Sequence, residues 1–165
     1  MNHVNQRPLI AAGTMLGIGM GGFVDGILFH QLLQFHNMLS AKLPVRNVPV
    51  RELAINLEIN MFWDGMFHAF TWIMTVVGIA MLWRAVRRDD VVLSTRTLVG
   101  GLSLGWGLFN LVEGVIDHHL LHLHHVVEVP GHLPYDVAFL ASGAVLIGLG
   151  VGLVRGGERG GRGVE

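Results

Sequence analysis

Residues Leu98–His122 read LVGGLSLGWGLFNLVEGVIDHHLLH. No charge occurs between Leu98 and Val112, and Glu113, Asp117, His118, His119 and His122 then follow within the same apolar run. A helix needs about 20 mainly apolar residues to cross a bilayer, and this stretch supplies them. It is continuously apolar rather than alternating, which excludes a lipid-facing β-strand and predicts a membrane helix. The acids and histidines at its far end are expensive in lipid, so they mark a site.

Three further stretches have the same character: Leu9–Met38, Leu53–Trp83 and Leu133–Val154. The sequence therefore predicts an all-α, integral membrane four-helix bundle over residues 1–154. The glycine-rich, charged residues 155–165 read as a disordered cytoplasmic tail. Composition agrees, since 52% of the 165 residues are hydrophobic and only 14% are charged. A net charge of −1 offers nothing to nucleic acid. The absence of cysteine removes disulfides, thiolate ligands and iron–sulfur clusters. Met1–Pro8 runs into the first span with no small-residue cleavage site, so that span reads as retained.

Orientation follows from the basic residues. Arg84, Arg87, Arg88 and Arg96 flank the second connection, Arg155, Arg159 and Arg162 follow the last span, and Arg7 precedes the first. The first loop has Lys42, Arg46 and Arg51, and His122–Pro134 has no Lys or Arg. The bias predicts an N-in/C-in topology with the first and third loops outside. Glycines recur every fourth residue at Gly13, Gly17 and Gly21, at Gly101 and Gly105, and at Gly148 and Gly152, a spacing that lets helix backbones approach closely.

Counting about 1.5 Å per residue from the cytoplasmic ends places Asp25 at about 24 Å, Asp64 at about 28 Å, Glu113 at about 23 Å and Asp136 at about 27 Å. Each span thus brings one carboxylate to one layer in the outer half. Histidines follow: Asp25-Gly26 precedes His30, Asp64-Gly65 precedes His68, and Glu113-Gly114 precedes His118 and His119. The match between Asp25–His30 and Glu113–His118 suggests an internal helix-pair repeat. His36, His122 and His125 read as lying further out, and Glu113, Asp117 and His124 as a separate helical stripe.

The bland alternatives are specific. One Asp–His pair is explained equally well by a hydrogen bond between helices; four acids and as many histidines at one depth are not. His3 and His132 read as surface or loop residues. Met15, Met20, Met38, Met61, Met66, Met74 and Met81 raise Cu(I) binding, but at helical spacing they fit packing better. Trp83 fits an interfacial belt. Gly17–Gly22 lacks the strand that a nucleotide loop requires.

Phe23–His36, Asn60–His68 and Asn110–Gly114 resemble a bacterial family of small four-helix inner-membrane proteins of unknown function. The resemblance covers nearly the whole chain and implies four spans in the bacterial inner (cytoplasmic) membrane. His119-Leu120-Leu121-His122 and His122-Leu123-His124-His125 also look like the histidine boxes of membrane di-iron hydroxylases and desaturases. Those enzymes carry several boxes on the cytoplasmic side, where this chain has one external cluster.

Histidine and carboxylate donors suit Zn²⁺, Fe and Cu(II). The resulting expectation is a metal centre of two or more ions near the periplasmic face, held by Asp25, His30, His36, Asp64, His68, Glu113, His118, His119, His122 and Asp136. Its use would be oxidation or hydrolysis. The alternatives are copper or zinc delivery to respiratory oxidases, and haem-based electron transfer. The expected partners are membrane lipid, a second copy of the chain or respiratory-chain components.

Overall fold

A computed structural model describes residues 5–161. His3 and residues 162–165 lie outside the described residues. Four helices follow in order: α1 (Arg7–Val24), α2 (Val50–Val86), α3 (Thr95–Glu113) and α4 (Leu133–Gly161). α1 continues as a wider π-helix over Asp25–Leu32, and α3 does the same over Gly114–Leu120. No strand occurs among the described residues. Pro8 begins α1 where its missing N–H costs nothing, and the Ser94 hydroxyl caps α3 by accepting from the Thr97 N–H.

All four helices are long and apolar enough to span a membrane. The 37 residues of α2 rise about 55 Å, well beyond one hydrocarbon core, so this helix tilts or projects. The interior is small and polar, while large apolar side chains such as Trp72, Ile79 and Leu149 point outward. That inversion is what a lipid solvent allows.

α1 and α3 form the inner pair; α2 packs on α1, and α4 on α3. A Cβ at Gly13 would lie 2.8 Å from the Leu98 carbonyl oxygen, and one at Gly101 would lie 2.8 Å from that of Ile10. A Cβ at Gly17 or Gly105 would overlap the Leu102 or Thr14 carbonyl outright. The expected close approach is therefore present between α1 and α3. It does not extend to Gly148 and Gly152, which have open space where a Cβ would stand.

These contacts are reciprocal, and the reciprocity runs through the chain. Gly13 corresponds to Gly101, Gly17 to Gly105, Asp25 to Glu113, His30 to His118 and His36 to His124, at one constant offset. α1–α2 and α3–α4 are two copies of one hairpin related by an approximate two-fold axis. In this arrangement α2 corresponds to α4, so Asp64-Gly65 is the partner of Asp136 rather than a third copy of the α1 motif.

α4 runs through Gly161, with Gly156 close to Arg96 and Gly157 close to Thr97. The first and third helices stop before Met38 and His122. Gln34 (φ 50°) and His122 (φ 48°) adopt the left-handed conformation that ends a helix and turns the chain back.

Candidate metal centre

The two turns place the histidines. After the π-helices, Leu33 N–H donates to the Leu28 carbonyl and Phe35 N–H to that of Phe29; Leu121 repeats the first bond with Ile116, and Leu123 the second with Asp117. The left-handed residue then folds the chain over the bundle end, so His36 and His124 drop into the interior. His36 Nδ1 bonds the Val126 carbonyl at 2.9 Å, and His124 Nδ1 bonds that of Met38 at 3.1 Å. Their rings stack 4.5 Å apart and nearly parallel, at the approximate two-fold axis.

Below them lie His30 and His118. His30 Nδ1 sits 2.9 Å from Asp64 Oδ1, and its Nε2 lies 3.0 Å from Asp25 Oδ2 without hydrogen-bond alignment. His118 Nδ1 faces Asp136 Oδ1 at 3.5 Å, too long for a good bond. His124 Nε2 is 3.5 Å from Glu113 Oε1, and His36 Nε2 is 3.9 Å from Asp25 Oδ1. Asp25, His30, His36, Glu113, His118 and His124 are all buried.

One pattern unites these six residues. In three of the histidines Nδ1 is tied to a carbonyl or carboxylate, and in all four Nε2 is buried with no hydrogen-bond partner. Asp25 Oδ2 and both Glu113 carboxylate oxygens are likewise unpartnered. Buried polar atoms are rarely left so, because each costs desolvation with nothing in return. A cluster of them, with the opposite ring nitrogens anchored, is the arrangement that metal-ligating histidines show. Three overlapping sets have donor atoms within 4.8 Å of one another: His30, His36 and His124; Glu113, His118 and His124; Asp25, His30 and Glu113. Burial holds His36 down to about 4 and His124 well below the usual histidine value, so both are neutral at pH 7, the form that binds metal.

Asp64 and Asp136 reach the same depth but stand behind the histidines. Asp64 accepts from His30, from Asn37 Nδ2 at 2.9 Å and from the Met38 N–H at 2.8 Å. Asp136 accepts from the Val126 N–H at 2.9 Å and from His125 and His132, each at 2.8 Å. Both therefore brace a loop onto a histidine. Asp136 also forms a smaller group with His125 and His132, whose rings stack 3.4 Å apart nearer the surface.

The geometry sorts the expected residues. Asp25, His30, Glu113 and His118 converge, and His36 joins them in the interior rather than lying toward the water. His68 and His119 do not join: both are only half-buried and neither falls in a set of convergent donor atoms. His122 is exposed and forms the turn. His124, expected on another helical stripe, is fully buried in the cluster. The offset that relates Asp25 to Glu113 and His30 to His118 also relates His36 to His124, a pairing that a helical wheel does not reveal.

The first and third loops interlock above the centre. Ala41 N–H donates to the Leu123 carbonyl, and Ser40 Oγ donates to Glu128 Oε1 at 2.8 Å. A polar space of about 400 Å³ between the loops is lined by Gln34, His36, Asn37, Arg46, His125 and Glu128. The first loop thus covers the open end of the bundle.

Fold and site together define a multi-pass helical membrane protein with a buried histidine–carboxylate cluster. The chain belongs to a family of predicted membrane proteins of unknown function, DUF2243, whose sequence model matches residues 12–157. No curated protein and no solved structure matches the chain.

Proposed function

We propose that this protein holds two transition-metal ions in the bundle, at the periplasmic side of the bacterial inner membrane, with both termini in the cytoplasm. The observation that carries this reading is the convergence of buried, unpartnered donor atoms from Asp25, His30, His36, Glu113, His118 and His124. The approximate two-fold axis gives each half one carboxylate and two imidazoles, and His/carboxylate sets from facing helices are how soluble bundles hold paired metals. Mixed nitrogen and oxygen donors suit Zn, Fe or Cu.

Such ions supply Lewis acidity or redox chemistry, consistent with a hydrolase or an oxidoreductase. The chain's own contribution is to hold His36 and His124 neutral, to orient His30 through Asp64, and to cover the bundle end with interlocked loops. A metal-delivery role is the second reading, favoured by the His125, His132 and Asp136 group nearer the surface. Against a haem centre, the stacked pair His36 and His124 cannot together supply axial ligands on opposite sides of a macrocycle.

Elemental analysis of the purified protein beside Glu113→Ala and Asp64→Ala tests the reading. Stoichiometric metal in the wild type, lost in Glu113→Ala and weakened in Asp64→Ala, is expected. A wild type without stoichiometric metal, or a content that neither change alters, overturns it.

A further inference from the structure

The approximate two-fold axis also relates two clefts in the lipid-facing wall. One, of about 460 Å³, lies between α2 and α3 and is lined by Trp63, Met66, Phe67, Val112, Glu113 and Asp117. Its mate, of about 470 Å³, lies between α1 and α4 and is lined by Val24, Asp25, Phe29, Trp106, Phe139 and Ser142. Both volumes lie in the range of small-molecule sites. Each cleft ends on one carboxylate of the buried cluster, Glu113 or Asp25. They differ at one position above all: Asp117 stands where the mate has Phe29.

We propose that the α2/α3 cleft admits a lipid-phase molecule bearing a hydroxyl head group, which it presents to Asp117 and Glu113. The cleft lies at membrane depth, and Trp63, Met66 and Val112 on its wall are exposed on the bundle surface that faces lipid. Its two carboxylates find no hydrogen-bond partner among the described residues. Glu113 is 4% exposed with both oxygens unpartnered, and no described residue donates a hydrogen bond to the Asp117 carboxylate. Carboxylates in an apolar wall call for a donor. A hydroxyl supplies one while remaining neutral in lipid, whereas an ammonium would carry its charge through the hydrocarbon. Water-soluble molecules have the separate polar space between the loops, which reaches His36. Calling the hydroxyl compound a substrate rests on the metal reading; its binding in the cleft does not.

The clefts can be watched separately, because Trp63 lines one and Trp106 the other. Two variants retain a single tryptophan, Trp63 or Trp106, with the other three changed to phenylalanine. Each is reconstituted in phosphatidylcholine vesicles and titrated with bromododecanol and, separately, bromododecane as fluorescence quenchers. In the Trp63 protein, saturable quenching by the alcohol at about tenfold lower concentration than by the alkane is expected, the worth of one hydrogen bond. Asp117→Phe, which copies the mate cleft, and the near-isosteric Asp117→Asn should both shrink that preference, Phe more than Asn. Neither should alter quenching of Trp106 or metal content.

Equal quenching by alcohol and alkane, as acyl-chain filling alone would give, overturns the proposal. So does an alcohol preference that survives Asp117→Phe, or a substitution that shifts Trp63 and Trp106 together. Loss of metal on changing Asp117 would place it in the centre instead and also overturns it. A protein that lacks metal but keeps the Trp63 preference would refute the metal centre and leave the cleft standing.

Discussion

At the scale of single residues, the centre depends on which ring nitrogen each histidine turns inward. His124 and His122 are two residues apart, yet one is fully buried among unpartnered donors and the other is exposed. Metal analysis of His124→Ala and His122→Ala should therefore diverge, with bound metal lost in the first and retained in the second. Asp64→Asn acts through His30 and should weaken metal affinity by about 10- to 100-fold, read by competition with a chelator. The pH response has a definite sign. Burial places His36 near 4 in the folded chain against 6.5 when unfolded, so the unfolded state binds more protons between those values. The metal-free protein should lose stability as pH falls from 6.5 toward 4 and regain it on return to neutrality, as thermal unfolding in detergent would record. Most of these residues were legible, because an acid followed by a histidine inside an apolar run is costly and therefore conspicuous. His124 was not, because a helical wheel assumes a helix. The π-helix ends at Leu120 and the left-handed turn at His122 redirects everything after it.

At the scale of elements, the same turn makes a separate prediction. A non-glycine residue in the left-handed region costs about 1–2 kcal/mol, part of which glycine returns as unfolded-state entropy. His122→Gly should thus be neutral or up to about 1 kcal/mol more stable by thermal unfolding of the metal-free protein. The inner helix pair makes the opposite case. Gly105→Val drives side-chain atoms into the Thr14 carbonyl and should cost about 1–3 kcal/mol or more. Gly148→Val, facing open space, should cost no more than a few tenths of that. Both are checked by the unfolding midpoint in a fixed detergent. The four-residue glycine spacing was equally visible in all these segments. Only the partner helix decides which glycines are contacts, and no single segment carries that information.

At the scale of the whole molecule, four spans were readable from the apolar runs, and the repeat from Asp25–His30 against Glu113–His118. The reach of the repeat was not, since the paired positions share chemistry and place more than residue identity: Asn37 matches His125, and Gln34 matches His122. The absence of cysteine makes the topology directly measurable. A single cysteine at Asp89 should react with an impermeant maleimide only after the cytoplasmic side is opened, and one at Asn47 should react in intact spheroplasts. The hairpin architecture also predicts that residues 1–90 and 91–165, expressed as separate chains, reassemble and bind metal. In that form, metal content should fall as the two pieces are diluted with lipid.

The connection from Arg87 to Ser94 then takes on a meaning beyond joining two helices. Two of the three candidate binding sets at the axis draw donors from both hairpins, His30 and His36 with His124, and Asp25 and His30 with Glu113. As separate chains, their meeting would be bimolecular and governed by surface density in the membrane. A short tether makes it intramolecular, at an effective concentration of the order of millimolar. Assembly of the centre is thereby freed from how much of the protein the cell makes.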